Sequence, residues 1–454
     1  MGKNRTDLAF IVLSALVLCT AAFLNKFPLF YSDTGTYLRS GFEDFVPDDR
    51  PVFYGIFIRH ISLSSSLWLV IFAQGLLVSW LMHRTVHLLV PRMLAQRLFC
   101  GLVVLLTLCT RLSDTVSILI PDIFTPIAIL CLVNLLLAQR SSRAATIAII
   151  ITLIYSMMVH LSNLLVIGAT VVFLAIWWAF SRNMRSSFSG KRLLLAGTSV
   201  GVALLLVPTL HHAIGGKFQF SRGSHVFMMN HLLETGVLEE YLHRYCDERT
   251  YKICEYRDRI GWDLIWNDQS PVYLTGGWEA NEEEYNAIIR DVIGIPRYTV
   301  LLLQKAIEYW AIQFFYLRTD PPRILLEGSA PYYQMVVHFG HNMREYHSSG
   351  QNNGKFDGVT TNGLHIFIIL ASWSILFPAF MQRRSLPAVP PIFWSMLALM
   401  TLAIALNSLI CANLSTIDPR FQVRVVWLFP MLATVLLAYN FRKPRIVEAD
   451  TFTG

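Results

Sequence analysis

Apolar residues gather along the chain in blocks near membrane length, at 8–25, 65–82, 98–110, 122–138, 144–160, 163–180, 192–210, 362–380, 388–410 and 421–440. The third block is short and extends into its flanks. A bilayer core takes about 20 apolar residues per helix, so the pattern predicts about ten transmembrane helices in an all-α polytopic membrane protein. The first block lies in MGKNRTDLAFIVLSALVLCTAAFL. No small-residue cleavage site stands out after it, so it is expected to be an uncleaved span.

The polar connections between blocks sort by charge. One set of ends carries Lys3 and Arg5; Arg84, Arg92 and Arg97; Arg140 and Arg143; Arg182, Arg185, Lys191 and Arg192; Arg383 and Arg384; and Arg442, Lys443 and Arg445. The internal connections of this set hold no acid. Nearly every Asp and Glu falls at the opposite ends. Short basic loops stay cytoplasmic, which predicts cytoplasmic termini and an acidic outer face. Residues 298–317 (YTVLLLQKAIEYWAIQFFYL) are long enough to span but would reverse this parity, and they carry Lys305 and Glu308. An amphipathic helix at the outer membrane surface is preferred there. The expected organisation is an N-terminal membrane module at 1–210 with a first external loop at 26–64. A mainly helical external capping domain follows at 211–361, then a C-terminal membrane module and short tail at 362–454.

Composition agrees: 54% apolar and 15% charged, with a mean hydropathy of +0.49, is too apolar for a soluble domain. Topology accounts for the net charge of +7. No basic run with interleaved aromatics, zinc-type Cys pair or P-loop is present, so nucleic acid is not an expected partner. Cys19, Cys100, Cys109, Cys131 and Cys411 lie in or beside apolar blocks and read as small apolar residues. Cys246 and Cys254 are eight apart in the external region. A disulfide and two unpaired thiols are both compatible with that spacing.

Candidate chemistry begins in FYSDTGTYLRSGFEDFVPDDRPVFY, Phe30 to Tyr54. A short loop between two spans has no solvation need for five acids and two arginines set among Tyr31, Tyr37, Phe53 and Tyr54. Asp33 is the first candidate, as a partly desolvated base or a helix cap. Asp48, Asp49 and Arg50, held between Pro47 and Pro51, form a rigid polar elbow; a solvated turn is the plain alternative. Tyr31 and Tyr54 flank these groups as candidate contacts. Arg420 and Arg424 fall at i, i+4 at the start of the last block, on the outer side and against the positive-inside trend. They suit a phosphate or pyrophosphate, or they snorkel to headgroups; Asp418 is available as a partner. His160 in MMVHLSNL is a site candidate or a helix C-terminal cap. Arg222, His225, Asn230 and His231 form a polar segment after the seventh block. His338, His341 and His347 are the most metal-like group, without an evident acidic ligand. Trp262, Trp266, Trp278 and Tyr273 read as sugar-stacking platforms or as domain core.

Tyr31-Ser32-Asp33, Asp48-Asp49-Arg50-Pro51, the topology, and Arg420 with Arg424 together resemble the GT-C superfamily of integral-membrane glycosyltransferases. The resemblance implies transfer of a sugar from a polyprenyl-phosphate-linked donor to a glycan, lipid or protein acceptor on the external face. It implies that Asp33 deprotonates or steers the acceptor hydroxyl, with Asp48 and Asp49 as further catalytic candidates. Arg420, Arg424, Arg50 and Arg222 would hold the lipid phosphate, and His160 and His225 would be further donor or acceptor contacts. A divalent metal is an optional cofactor on this reading. The external domain is inserted mid-chain, with no separate C-terminal soluble domain, which leaves the acceptor class open. The alternatives are a transporter or flippase for a lipid-linked glycan and a membrane acyl- or phosphotransferase. A transporter places charges deep within spans, whereas these blocks are nearly free of them.

Overall fold

The structure is a computed structural model. It describes residues 2–440 apart from 139, 183, 184, 186, 187, 216, 262, 357 and 358. Trp262 and the basic residues Arg442, Lys443 and Arg445 lie outside the described residues.

Every regular element among the described residues is helical. The apolar blocks all fall on helices. Six are long and apolar enough to cross a membrane: Trp68–Leu89, Leu161–Phe180, Gly190–Gly215, Thr361–Met381, Pro391–Leu414 and Pro419–Tyr439. Four are shorter: Thr6–Leu18, Leu94–Cys109, Pro121–Leu137 and Arg143–Met158. At 1.5 Å per residue, a 16-residue helix such as Arg143–Met158 covers about 24 Å, less than a hydrocarbon core of about 30 Å. The chain is thus a helical membrane protein, and burial does not follow helix length: Pro419–Tyr439 is among the most buried helices, while Leu8 and Leu13 of Thr6–Leu18 are exposed. Phe124–Leu137 is buried at every position, as expected of a helix apolar all round. Its one amide, Asn134, donates to Thr85 Oγ1 at 2.8 Å and to Leu130 O at 2.9 Å. Leu205, Phe367 and Phe377, by contrast, point outward from their helices and are exposed.

Polar contacts close each end of the bundle. At the basic end Arg92 pairs with Asp7 at 2.6 Å and Arg84 donates to Ser141 at 3.0 Å. At the acidic end the first loop folds into two short helices, Thr34–Phe42 and Phe53–Ser62. They cross so closely that a Cβ on Gly41 would sit 2.3 Å from the Gly55 carbonyl oxygen.

Residues 211–361 divide in two. Val226, Leu238, Tyr241, Ile253, Val272, Tyr285 and Tyr298 belong to a small core of their own. Within this unit Cys246 and Cys254 form a disulfide, with Cα atoms 5.5 Å apart. Closing so short a loop is worth about 2–3 kcal/mol. Cys246→Ser is therefore expected to lower the unfolding midpoint of this unit, read by thermal scanning with and without reductant. Equal midpoints for both proteins would show that the bond adds nothing. Residues beyond 316 join the main core instead: Leu325, Met335, Phe339 and Tyr346 pack in the same cluster as Phe27 and Phe30.

The Pro296–Phe314 helix runs along Pro391–Leu414, where Trp310 Nε1 donates to Ala405 O at 3.1 Å and Asn413 donates to Ala306 O at 3.3 Å. Ala405 is nine residues from the helix end at Leu414, about 13 Å along the axis. Lys305 and Glu308 pair with each other at 2.8 Å on the outer side of this helix.

Candidate functional site

Asp33 is where the first loop meets the last helices. The backbone enters through a single bridge: Leu29 N donates to Ser117 O at 2.9 Å, and Leu119 N to Leu29 O at 2.9 Å. Thr34 Oγ1 then donates to Leu119 O at 3.0 Å. This local lattice fixes the start of the Thr34–Phe42 helix and with it the Asp33 side chain. Its Oδ2 lies 3.0 Å from Arg420 Nη1 and 3.1 Å from Arg50 Nη1. Asp33 takes no side-chain cap bond; its carboxylate is spent on the two guanidinium groups.

Each arginine is shared in turn. Arg50 Nε donates to Asp49 Oδ2 at 2.9 Å, and its guanidinium lies over the Tyr37 ring. Arg420 Nε is 3.3 Å from Asp418 Oδ2, and the guanidinium stacks over Tyr31, 4.6 Å from the ring centre. Asp418 also caps the last helix by accepting from Arg420 N at 2.9 Å. Burial alone would raise the Asp33 pKa, but Arg50 and Arg420 outweigh it and hold the carboxyl below its usual value. Asp418 goes the other way, because burial dominates over Arg420. Asp33 is therefore a carboxylate at neutral pH, better placed to accept a hydrogen bond than to keep a proton.

A cleft of about 140 Å³ opens beside Arg420, close in size to a cavity that accepts benzene. Tyr31, Arg111, Asp114, Asp122, Asp320, Arg323, Asp418, Arg420 and Arg424 all line it. Arg424 forms its floor. Its side chain is 1% exposed and that of its partner Asp122 is 5% exposed, with Nη1 to Oδ1 at 2.9 Å. Nη2 donates to Asn407 Oδ1 at 2.9 Å and to Ser162 Oγ at 3.3 Å. A guanidinium so enclosed and already paired has little left for a phosphate. Arg424 is thus a buried structural charge, not the second half of an anion clamp with Arg420.

The other candidates separate. Asp49 stays with Asp33 through Arg50. Asp48 turns away to face Arg222 at 3.9 Å, and Arg222 donates to Gly215 O at 2.6 Å. Arg222 lines a small dent with Val46, Pro47 and His211, apart from the cleft. Tyr54 is fully buried, donating to Gln74 at 2.6 Å, so it packs the loop. His225 is buried in the small domain with Nε2 2.8 Å from Trp278 O, a packing role also. His160 caps the start of Leu161–Phe180, accepting from Ser162 N at 3.3 Å, where a C-terminal cap was the sequence alternative. Its Nδ1 is 2.7 Å from Ser162 Oγ, so it touches the Arg424 floor through that hydroxyl. Trp278 packs against Phe227 in the small core, while Trp266 is exposed. His338 meets Glu43 at 3.3 Å, and His341 meets Ser65 O. Among the described residues no three His, Cys, Asp or Glu side chains gather as metal ligands.

Sequence reasoning missed Arg111, Asp114 and Asp122, which wall the cleft. Arg111 Nη1 pairs with Asp114 at 2.9 Å. All three sit in RLSDTVSILIPD, between two apolar blocks at the acidic end. The same test that singled out the first loop, charge without a solvation need, points to them. No protein-family model, curated protein or solved structure matches the chain.

Proposed function

We propose that this protein is a membrane glycosyltransferase of GT-C type. It moves a sugar from a polyprenyl-phosphate-linked donor to an acceptor held at the cleft. One observation carries the reading: Arg420, held by Asp33 and Asp418, lines a small cleft at the acidic end of an apolar helical bundle. That is the arrangement a lipid phosphate needs, with its tail in the bilayer and its charge at a preset guanidinium. On this reading the protein has ten spans and both termini in the cytoplasm, with the cleft at the exterior of a bacterial inner membrane.

The chemistry follows from the groups present. The acceptor oxygen attacks the anomeric carbon as the bond from that carbon to the phosphate oxygen breaks. The bonding pair leaves with the phosphate, where Arg420 offsets the new charge. The acceptor proton departs along a hydrogen bond to a carboxylate. Asp33 steers it, since its two arginines make it a weak base, and the proton passes on to water. Arg50 and Asp49 keep Asp33 in place.

The test uses membranes containing the full chain and a polyprenyl-phosphate hexose, with release of polyprenyl phosphate as the readout. Arg420→Ala is expected to cut the rate about 100-fold, in line with removal of a preorganised charge donor. Release that matches wild type would sink the assignment.

A further inference from the structure

The cleft wall formed by residues 319–323 carries the next step, which rests on the glycosyltransferase reading. The sequence there is Thr-Asp-Pro-Pro-Arg. Of the four arginines lining the cleft, three are committed: Arg111 to Asp114, Arg420 to Asp33 and Asp418, and Arg424 to Asp122. Among the described residues Arg323 has no carboxylate within ion-pairing distance, and Asp320 has no cation. Both are exposed, and both line the cleft.

Local chemistry explains why these two neighbours do not neutralise each other. Proline fixes its own φ and restricts the residue before it to extended backbone. Asp320 and Pro321 both precede a proline, which favours a polyproline-type rise of about 3.1 Å per residue and three residues per turn. Positions 320 and 323 then share a face, set about 9 Å apart along the chain. Same-face placement puts both side chains on the cleft, and the stiff spacer keeps them separate.

The segment is also strapped down. Thr319 N donates to Asn362 Oδ1 at 3.0 Å, and Asn362 Nδ2 donates back to Thr319 O at 2.7 Å. Gln351 Nε2 donates to Arg323 O at 2.8 Å and to Phe30 O at 2.9 Å. Asn352 Oδ1 accepts from Leu325 N at 3.0 Å. Gln351, Asn352 and Asn362 thus supply the amides that hold this wall, and Gln351 ties it to the first loop. Such anchoring lowers the entropy a ligand must remove on binding.

We infer that Asp320 and Arg323 form a subsite for a glycosyl phosphate, with Arg323 on the phosphate and Asp320 on a sugar hydroxyl. Arg323 is the cleft cation that can meet an anion without first breaking an ion pair. A free carboxylate nearby disfavours bare phosphate and rewards a phosphoester that brings hydroxyl donors.

Binding to the purified full chain in detergent distinguishes the outcomes, with farnesyl phosphate, farnesyl-phosphate hexose and farnesol as probes. Arg323→Ala should weaken both phosphate probes at least tenfold and leave farnesol unchanged, with Arg323→Lys recovering part of the loss. Asp320→Asn should weaken the hexose probe and tighten farnesyl phosphate. Equal phosphate affinity in Arg323→Ala and wild type overturns the subsite alone, provided Arg420→Ala still loses binding. Loss of farnesol binding in Arg323→Ala would make the residue structural, and it too overturns the inference. Failure of wild type to bind either phosphate probe defeats the donor class itself.

Discussion

Arg424→Ala is expected to be the most destabilising single change in the membrane core, by about 3–5 kcal/mol. The reason is what it leaves behind. Asp122 is buried, and among the described residues its one ion pair is to Arg424 Nη1. Removing the guanidinium strands a carboxylate in a low-dielectric site, and the Asn407 side-chain oxygen loses its charged donor and keeps only the weak Cys411 thiol. The midpoint in a detergent thermal scan of the full chain should fall steeply. The paired replacement Arg424→Met with Asp122→Leu should recover most of the loss, because a buried pair exchanged for apolar side chains is often neutral. If the single variant melts with wild type, the charge is not buried as described. If it folds normally but loses only phosphate binding, Arg424 belongs to the donor site after all.

This residue marks where sequence reasoning stops. Placing Arg420 and Arg424 on one helix face needs only the helical repeat, and both do line the cleft. Depth is different. Whether a guanidinium ends at a surface or in a core depends on Asp122, which is 302 positions earlier, and on helices packed around it. No local spacing reports that. The apolar blocks are legible because lipid and a membrane-protein core impose the same apolar demand on each segment, independent of its partners. Block length is less so: the fully buried Phe124–Leu137 helix reads much like a span, since hydrophobicity alone does not separate packing against protein from packing against lipid. The charge sorting of the loops is legible for the same local reason, and it brings Asp33 and Arg420 to one end. Tyr54 and His225 fail as contacts because an aromatic or imidazole ring suits a core and a site equally. The amides Gln351, Asn352 and Asn362 look like turn residues because their partners, Phe30, Arg323, Leu325 and Thr319, are distant in sequence or irregular in structure.

Asp33→Asn should have the largest effect on activity with the smallest effect on fold. The side chain keeps its shape but loses the charge that Arg420 and Arg50 share at Oδ2. An amide in that place can also turn its NH2 toward the two cations. Arg420 then relaxes toward Asp418, away from its position over Tyr31, and the acceptor hydroxyl loses its steering oxygen. Loss of one preorganised charge costs about 100- to 1,000-fold in rate, and here one substitution disturbs two groups. Release of polyprenyl phosphate in membranes should therefore fall by at least 100-fold, while thermal stability moves by only about 1–2 kcal/mol for a partly exposed pair. The pH dependence has a definite sign. The native pKa of Asp33 is lowered relative to the unfolded chain, where it is about 3.9. Its contribution to stability is complete above that value and is lost as pH falls through the native pKa. Wild type should thus lose stability relative to Asp33→Asn below about pH 4, with no difference in slope between pH 6 and 8. A variant that retains full release, or an acid profile that runs parallel to wild type throughout, would remove Asp33 from the centre of the site.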